Sequence, residues 1–132
     1  MDLLEKVYGQ VITTEEIAIE YGETLPVWVE VVSVKDKMRQ QLLEFQIDKG
    51  ESSAIALALE IPESTIILDD FKARKVAKQL GLTITGTLGV IIKAKLLGKI
   101  ESIKPILEKI KETNFRISTD IENQALKEAN EK

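Results

Sequence analysis

Residues 65–74 read Thr65-Ile66-Ile67-Leu68-Asp69-Asp70-Phe71-Lys72-Ala73-Arg74, and this stretch decides the fold. Thr65 to Leu68 is a continuous run without polar alternation, the pattern of an interior parallel strand covered on both faces. Two acids close it. Beyond them Ala73, Val76, Ala77 and Leu80 recur at i, i+3, i+4 and i+7, which predicts a helix over about 70–80 that Gly81 stops. Leu82 to Thr85 is a second short strand, and Gly86-Thr87 opens a very apolar helix that runs through Leu97 to Gly98. Strands that alternate with helices in this way build a parallel sheet with helices on both faces, so the fold class is α/β.

Toward the N-terminus, Glu51 to Leu59 is apolar nearly all round and predicts a buried helix, with Gly50 expected to break the chain before it and Pro62 to end it. Residues 36–48 read as an amphipathic helix with Met38, Leu42 and Phe45 on one face. Val29 to Val34 and Val11 to Thr13 read as strands. Thr13 and Glu16 stand in capping-box spacing, which predicts a helix to about Tyr21. Residues 2–8 read as the last turns of a helix stopped by Gly9. Toward the C-terminus, a helix is expected over 102–112 with Ile103, Ile106, Leu107 and Ile110 inward. A last strand is expected over Phe115–Ile117, and a terminal helix capped by Thr119-Asp120-Ile121-Glu122.

A chain of 132 residues fits a single domain over 1–132. With no cysteine and no histidine, disulfides, thiolate metal sites, cysteine nucleophiles and the commonest general base are excluded. Catalysis must run on carboxylates, hydroxyls, lysines or bound metal. No apolar run is long enough to span a membrane, and the first residues do not read as a signal peptide, so a cytoplasmic location is expected. The net charge of −4 is lopsided: residues 1–70 hold 15 acids and 5 bases, residues 71–111 hold 10 bases and 2 acids. Segregated solvated helix faces explain such a split as simply as a basic surface beside an acidic cleft.

In open α/β sheets, ligands bind beyond the carboxyl ends of the strands. That directs attention to Asp69 and Asp70 at a strand end, Glu51 at the start of the buried helix, Glu20 near the end of an early helix, and Gly86 and Thr87 after the next strand. Without histidine, phosphodiester cleavage can use divalent metal held by several carboxylates, and hard oxygen ligands suit Mg²⁺ or Mn²⁺. Each residue also has a plainer role. Asp70 suits a helix cap, Glu51 the positive end of a helix dipole, and Thr87 an N-cap. Lys72, Arg74 and Lys75 suit a solvated face as well as a phosphate-guiding patch. Asp69 is harder to explain without a partner, because an acid ending an apolar strand is costly to bury alone.

Three blocks together carry a family resemblance: Lys49-Gly50-Glu51-Ser52-Ser53-Ala54-Ile55-Ala56-Leu57-Ala58, then Ile67-Leu68-Asp69-Asp70-Phe71-Lys72-Ala73-Arg74, then Thr85-Gly86-Thr87-Leu88-Gly89-Val90. In this order and spacing the chain resembles a PIN-domain subgroup related to VapC-type toxin ribonucleases, over nearly its whole length. The resemblance implies a PIN-like three-layer sandwich, a short mainly parallel sheet flanked by helices. It implies a ribonuclease with Mg²⁺ or Mn²⁺ in an acidic cleft, an RNA substrate, an antitoxin protein as partner, and a homodimer. The family's acids fall on Glu20, Glu51 and Asp69 as catalytic groups, with Glu51, Asp69 and Asp70 on the metal, Thr87 at the cleft edge, and Lys72, Arg74 and Lys75 toward the nucleic acid. One departure is expected to matter. Family members begin with a mid-sheet strand ending in an acid or equivalent polar group, followed by a Ser-Pro-Leu-Ile-like turn, and nothing in this sequence matches it. In that view the chain is N-terminally truncated and lacks the first metal ligand. The alternative to a nuclease is then a non-catalytic module that works through dimerisation or partner binding.

Overall fold

A computed structural model describes residues 2–132. In chain order the elements are α1 (Asp2–Tyr8), β1 (Val11–Thr14), α2 (Glu15–Tyr21), β2 (Val29–Val32), α3 (Lys37–Leu43), α4 (Lys49–Glu60), β3 (Thr65–Ile67), α5 (Phe71–Gln79), β4 (Thr83–Thr85), α6 (Thr87–Leu96), α7 (Lys104–Lys111) and α8 (Thr119–Glu128). The chain packs as two compact units, residues 10–87 in one and residues 1–9 with 88–132 in the other.

The unit of residues 10–87 holds all four described strands. β1 pairs in parallel with β2, Val11 opposite Val29 through Thr14 opposite Val32. β3 pairs in parallel with β4, Thr65 opposite Thr83 through Ile67 opposite Thr85. These are two separate two-stranded sheets, and helix α4 packs on both β1 and β3. The expected α/β class and parallel pairing are therefore present. Parallel neighbours need a crossover, and α5 supplies the one from β3 to β4.

Helix α4 explains why this unit coheres. Ile55 and Ala56 are fully buried and Leu57 nearly so, among Val34, Leu43, Ile47, Ile66, Leu68, Ala73, Val76 and Ala77. Burying a side chain such as Ile55 contributes about 1.5–3 kcal/mol. Its polar face is satisfied internally. Ser53 Oγ donates to the Gly50 carbonyl at 2.7 Å and stands 2.7 Å from Thr14 Oγ1. Since Ser53 has one proton, Thr14 is the donor in the second bond. Thr14 Oγ1 in turn accepts from Ile17 N at 3.2 Å. This relay ties the start of α2 to the first turn of α4.

Several local expectations need correction. Gly50 does not break the chain but lies inside α4, whose N-cap is Asp48. The N-cap of α2 is Thr14 rather than Thr13, and that of α8 is Ser118, one residue before the expected cap. Helix α3 is shorter than the predicted 36–48. The expected stripe is exposed, Met38 and Leu42 on α3 at 72% and 61% and Phe45 beyond its end at 86%. Its buried face is Gln40 and Leu43, because the Gln40 amide finds the carboxylates of Glu16 at 2.7 Å and Glu44 at 3.2 Å. Phe115 to Ile117 forms no strand, since no ladder partner lies beside it among the described residues.

Among the described residues, the unit of residues 2–9 and 88–132 is helical. Ile91, Ile103, Leu107, Ala125 and Ala129 are buried together, with Leu3, Ile106 and Ile110 packed against them, as the periodicity of α7 predicts. Glu131 fastens the start of α7. It accepts from Ser102 Oγ at 2.7 Å and Ile103 N at 2.8 Å, and pairs with Lys95 Nζ at 3.0 Å. The bond from Ser102, then Ile103 N and the Lys95 ammonium, hold its carboxyl down at about 2 against the cost of desolvation.

Candidate functional site

Within residues 10–87, an open groove lies where β3 ends and α4 begins. Its lining includes the acids Glu20, Asp48, Glu51, Asp69 and Asp70 over apolar Ile17, Ala54 and Ile67, and no lysine or arginine. All four sequence-selected acids therefore share one edge.

Three of the five acids hold helix starts. Asp48 Oδ1 accepts from Glu51 N at 2.9 Å as the N-cap of α4. Asp70 Oδ2 accepts from Ala73 N at 2.9 Å as the N-cap of α5, which is its plainer expected role. Asp69 receives two bonds from Thr87, from the backbone N–H to Oδ1 at 2.8 Å and from Oγ1 to Oδ2 at 2.5 Å. Thr87 does not line the groove itself; it fixes an acid that does.

Glu51 and Glu20 are the acids without such a duty. Burial pushes the Glu51 carboxyl up from the ordinary range, and the charges of Asp48 and Asp70 push it further in the same direction. Glu20 reaches from α2 over the first turn of α4, with its carboxylate against Gly50. Arg74 is half-buried, and its Nη1 donates to the Leu68 carbonyl at 2.7 Å, so it braces the end of β3. Lys72 and Lys75 are exposed on α5.

Sequence reasoning missed Asp48, although Asp48 and Glu51 stand at the capping-box spacing that would have marked the start of α4. It also missed the part played by Gly50, for which no local signal exists.

An α/β unit with carboxylates gathered at the C-terminal end of a parallel strand defines a class of sites suited to cationic ligands. The PIN domain family model matches residues 1–131, and the chain belongs to that family, whose fold is nuclease-like. No curated protein and no solved structure matches the chain.

PIN domains generally use divalent metals. The donor chemistry of the groove fits such an ion: hard carboxylate oxygens, no competing ammonium or guanidinium in the lining, and a missing Cβ at Gly50 whose space a carboxylate fills. Among the described residues, no three acidic side chains stand close enough together to hold one ion as they are placed. No described helix is long and apolar enough to cross a membrane.

Proposed function

We propose that this protein is a divalent-metal-dependent ribonuclease of the PIN type, in which Glu51, Asp69 and Asp70 would close from their present separation onto Mg²⁺ or Mn²⁺, with Glu20 completing the acidic set. The observation that carries the proposal is the convergence of Glu20, Glu51, Asp69 and Asp70, from three separate parts of the chain, on one groove. Burial first, and then the charges of Asp48 and Asp70, raise the Glu51 carboxyl, and a bound cation would relieve that repulsion.

When bound, the metal would supply an activated water and neutralise charge on the phosphate oxygens. The chain's own groups do the rest. Asp69 keeps one lone pair on each oxygen beyond its bonds from Thr87. Asp70 keeps Oδ1 free of the α5 cap. Lys72 and Lys75, exposed on the helix that Asp70 opens, offer phosphate contacts, and Arg74 sets the strand end. A cytoplasmic toxin role, paired with an antitoxin protein and exercised as a homodimer, belongs to the same proposal. The exposed apolar side chains Met38 and Leu42 on α3 and Phe45 just after it support a protein partner.

The test is cleavage of a labelled single-stranded RNA in Mg²⁺ or Mn²⁺, in EDTA, and by Glu51→Gln. Cleavage that stops in EDTA and falls by about 100-fold or more in the variant is expected. Equal cleavage in EDTA, or by Glu51→Gln, would refute the proposal.

One observation favours a second reading. β1 and β3 each lack a strand on one edge among the described residues, although α4 packs on both. Open edges pair readily with other chains. A non-catalytic PIN-like module that works through dimerisation or partner binding would use them. It would give a stable dimer and no metal-dependent RNA cleavage.

A further inference from the structure

Gly50 is the second residue of a twelve-residue helix, where alanine would be the better helix former. It does not have the positive φ that accounts for Gly9, Gly22, Gly81 and Gly98. Conformational freedom therefore does not explain a glycine here, and space does. A Cβ built at Gly50 would overlap Glu20 Oε1 and stand 3.1 Å from Glu20 Cδ and 3.2 Å from Oε2. The carboxyl group of Glu20 occupies the volume that any other residue would fill.

The surroundings hold this arrangement in place. The Gly50 carbonyl takes the proton of Ser53, which accepts from Thr14, which caps α2. The backbone under the carboxylate is thus tied to the start of the helix that carries Glu20. Gly86 makes a similar close approach to Asp69. A Cβ there would stand 2.8 Å from Asp69 Oδ1 and 2.9 Å from Arg74 Nη1. Each of these two acids leans on a glycine.

We infer that Gly50 is a positioning residue: the bare α-carbon lets Glu20 bring its carboxylate over the first turn of α4 and into the groove that Glu51 also lines, where a divalent cation would be held. This inference rests on the proposed function. Glu20 ends a flexible side chain, so an added methyl group would displace it without disturbing the fold. The cost would fall on cation affinity rather than on stability.

The experiment is a Mn²⁺ titration, read by electron paramagnetic resonance, of the full chain as wild type, Gly50→Ala, Glu20→Ala and the double variant. Metal-free melting curves and the position of the Gly50 amide resonance at one pH accompany it. Gly50→Ala is expected to melt no lower than wild type and to bind Mn²⁺ about tenfold more weakly. Glu20→Ala is expected to weaken binding and to move the Gly50 amide resonance, and adding Gly50→Ala to it is expected to change affinity no further. A glycine with a purely structural role would act equally in both backgrounds, and that result overturns the inference alone. Wild-type affinity in Gly50→Ala, or a Gly50 amide resonance unmoved by Glu20→Ala, overturns it too. A wild type that binds no Mn²⁺ overturns the nuclease proposal and this role together.

Discussion

Thr87 grips both carboxylate oxygens of Asp69, with its backbone N–H 2.8 Å from Oδ1 and its hydroxyl 2.5 Å from Oδ2. Asp69 follows β3 and Thr87 begins α6, so the pair gives the helix start an acceptor that Gly86 cannot provide. Asp69→Ala is expected to lower stability by about 1–2 kcal/mol even without metal. Thr87→Val, which keeps the backbone bond, is expected to cost about 1 kcal/mol. Urea unfolding in EDTA measures both.

Glu51 should trade stability for binding. Its folded-state pKa lies above the ordinary 4.5, so the folded chain holds this proton more tightly than the unfolded chain does. Its contribution is therefore present below the unfolded pKa and is lost as pH rises through the folded one. Glu51→Gln removes that loss and the repulsion from Asp48 and Asp70. At pH 7 in EDTA the variant is expected to melt about 1–3 °C higher than wild type. At pH 4 the difference should shrink. Melting curves across that range decide it.

Thr14 does two tasks with one hydroxyl, capping α2 and donating to buried Ser53. Thr14→Val keeps the shape and β propensity but removes both bonds. A loss of about 1–3 kcal/mol in urea unfolding is expected. Thr14→Ser should recover most of it.

Glu131 is the opposite case to Glu51. Its carboxyl is held down at about 2, first by Ser102 and then by Ile103 N and Lys95. A depressed carboxyl stabilises the fold above its unfolded pKa and ceases to do so as pH falls through the folded value. Acid unfolding of wild type should steepen between about pH 4.5 and 2. Glu131→Gln should be less stable at pH 7 and flatter over that interval, as followed by far-ultraviolet circular dichroism.

The elements that the sequence made legible are those whose cause is local. The Thr65–Leu68 run, the caps and the inward face of α7 announce themselves by spacing. What escaped depends on distant groups. Met38, Leu42 and Phe45 predict a helix, but their periodicity cannot say which face turns inward, and Phe45 falls beyond the end of α3. Gln40 is buried instead because Glu16, 24 residues away, accepts from it. Gly50 resembles a breaker until Glu20 is seen filling its missing side chain. Phe115 to Ile117 has strand composition without a partner strand. The site was legible as four separate acids, and their shared groove required the fold.

Calorimetric titration of Mn²⁺ into the wild-type chain and into Glu51→Gln at pH 7 is the decisive measurement. Saturable binding by the wild type, weakened at least tenfold in a variant that remains folded, is expected. No binding by either protein, or equal binding by both, would show that these carboxylates hold no cation.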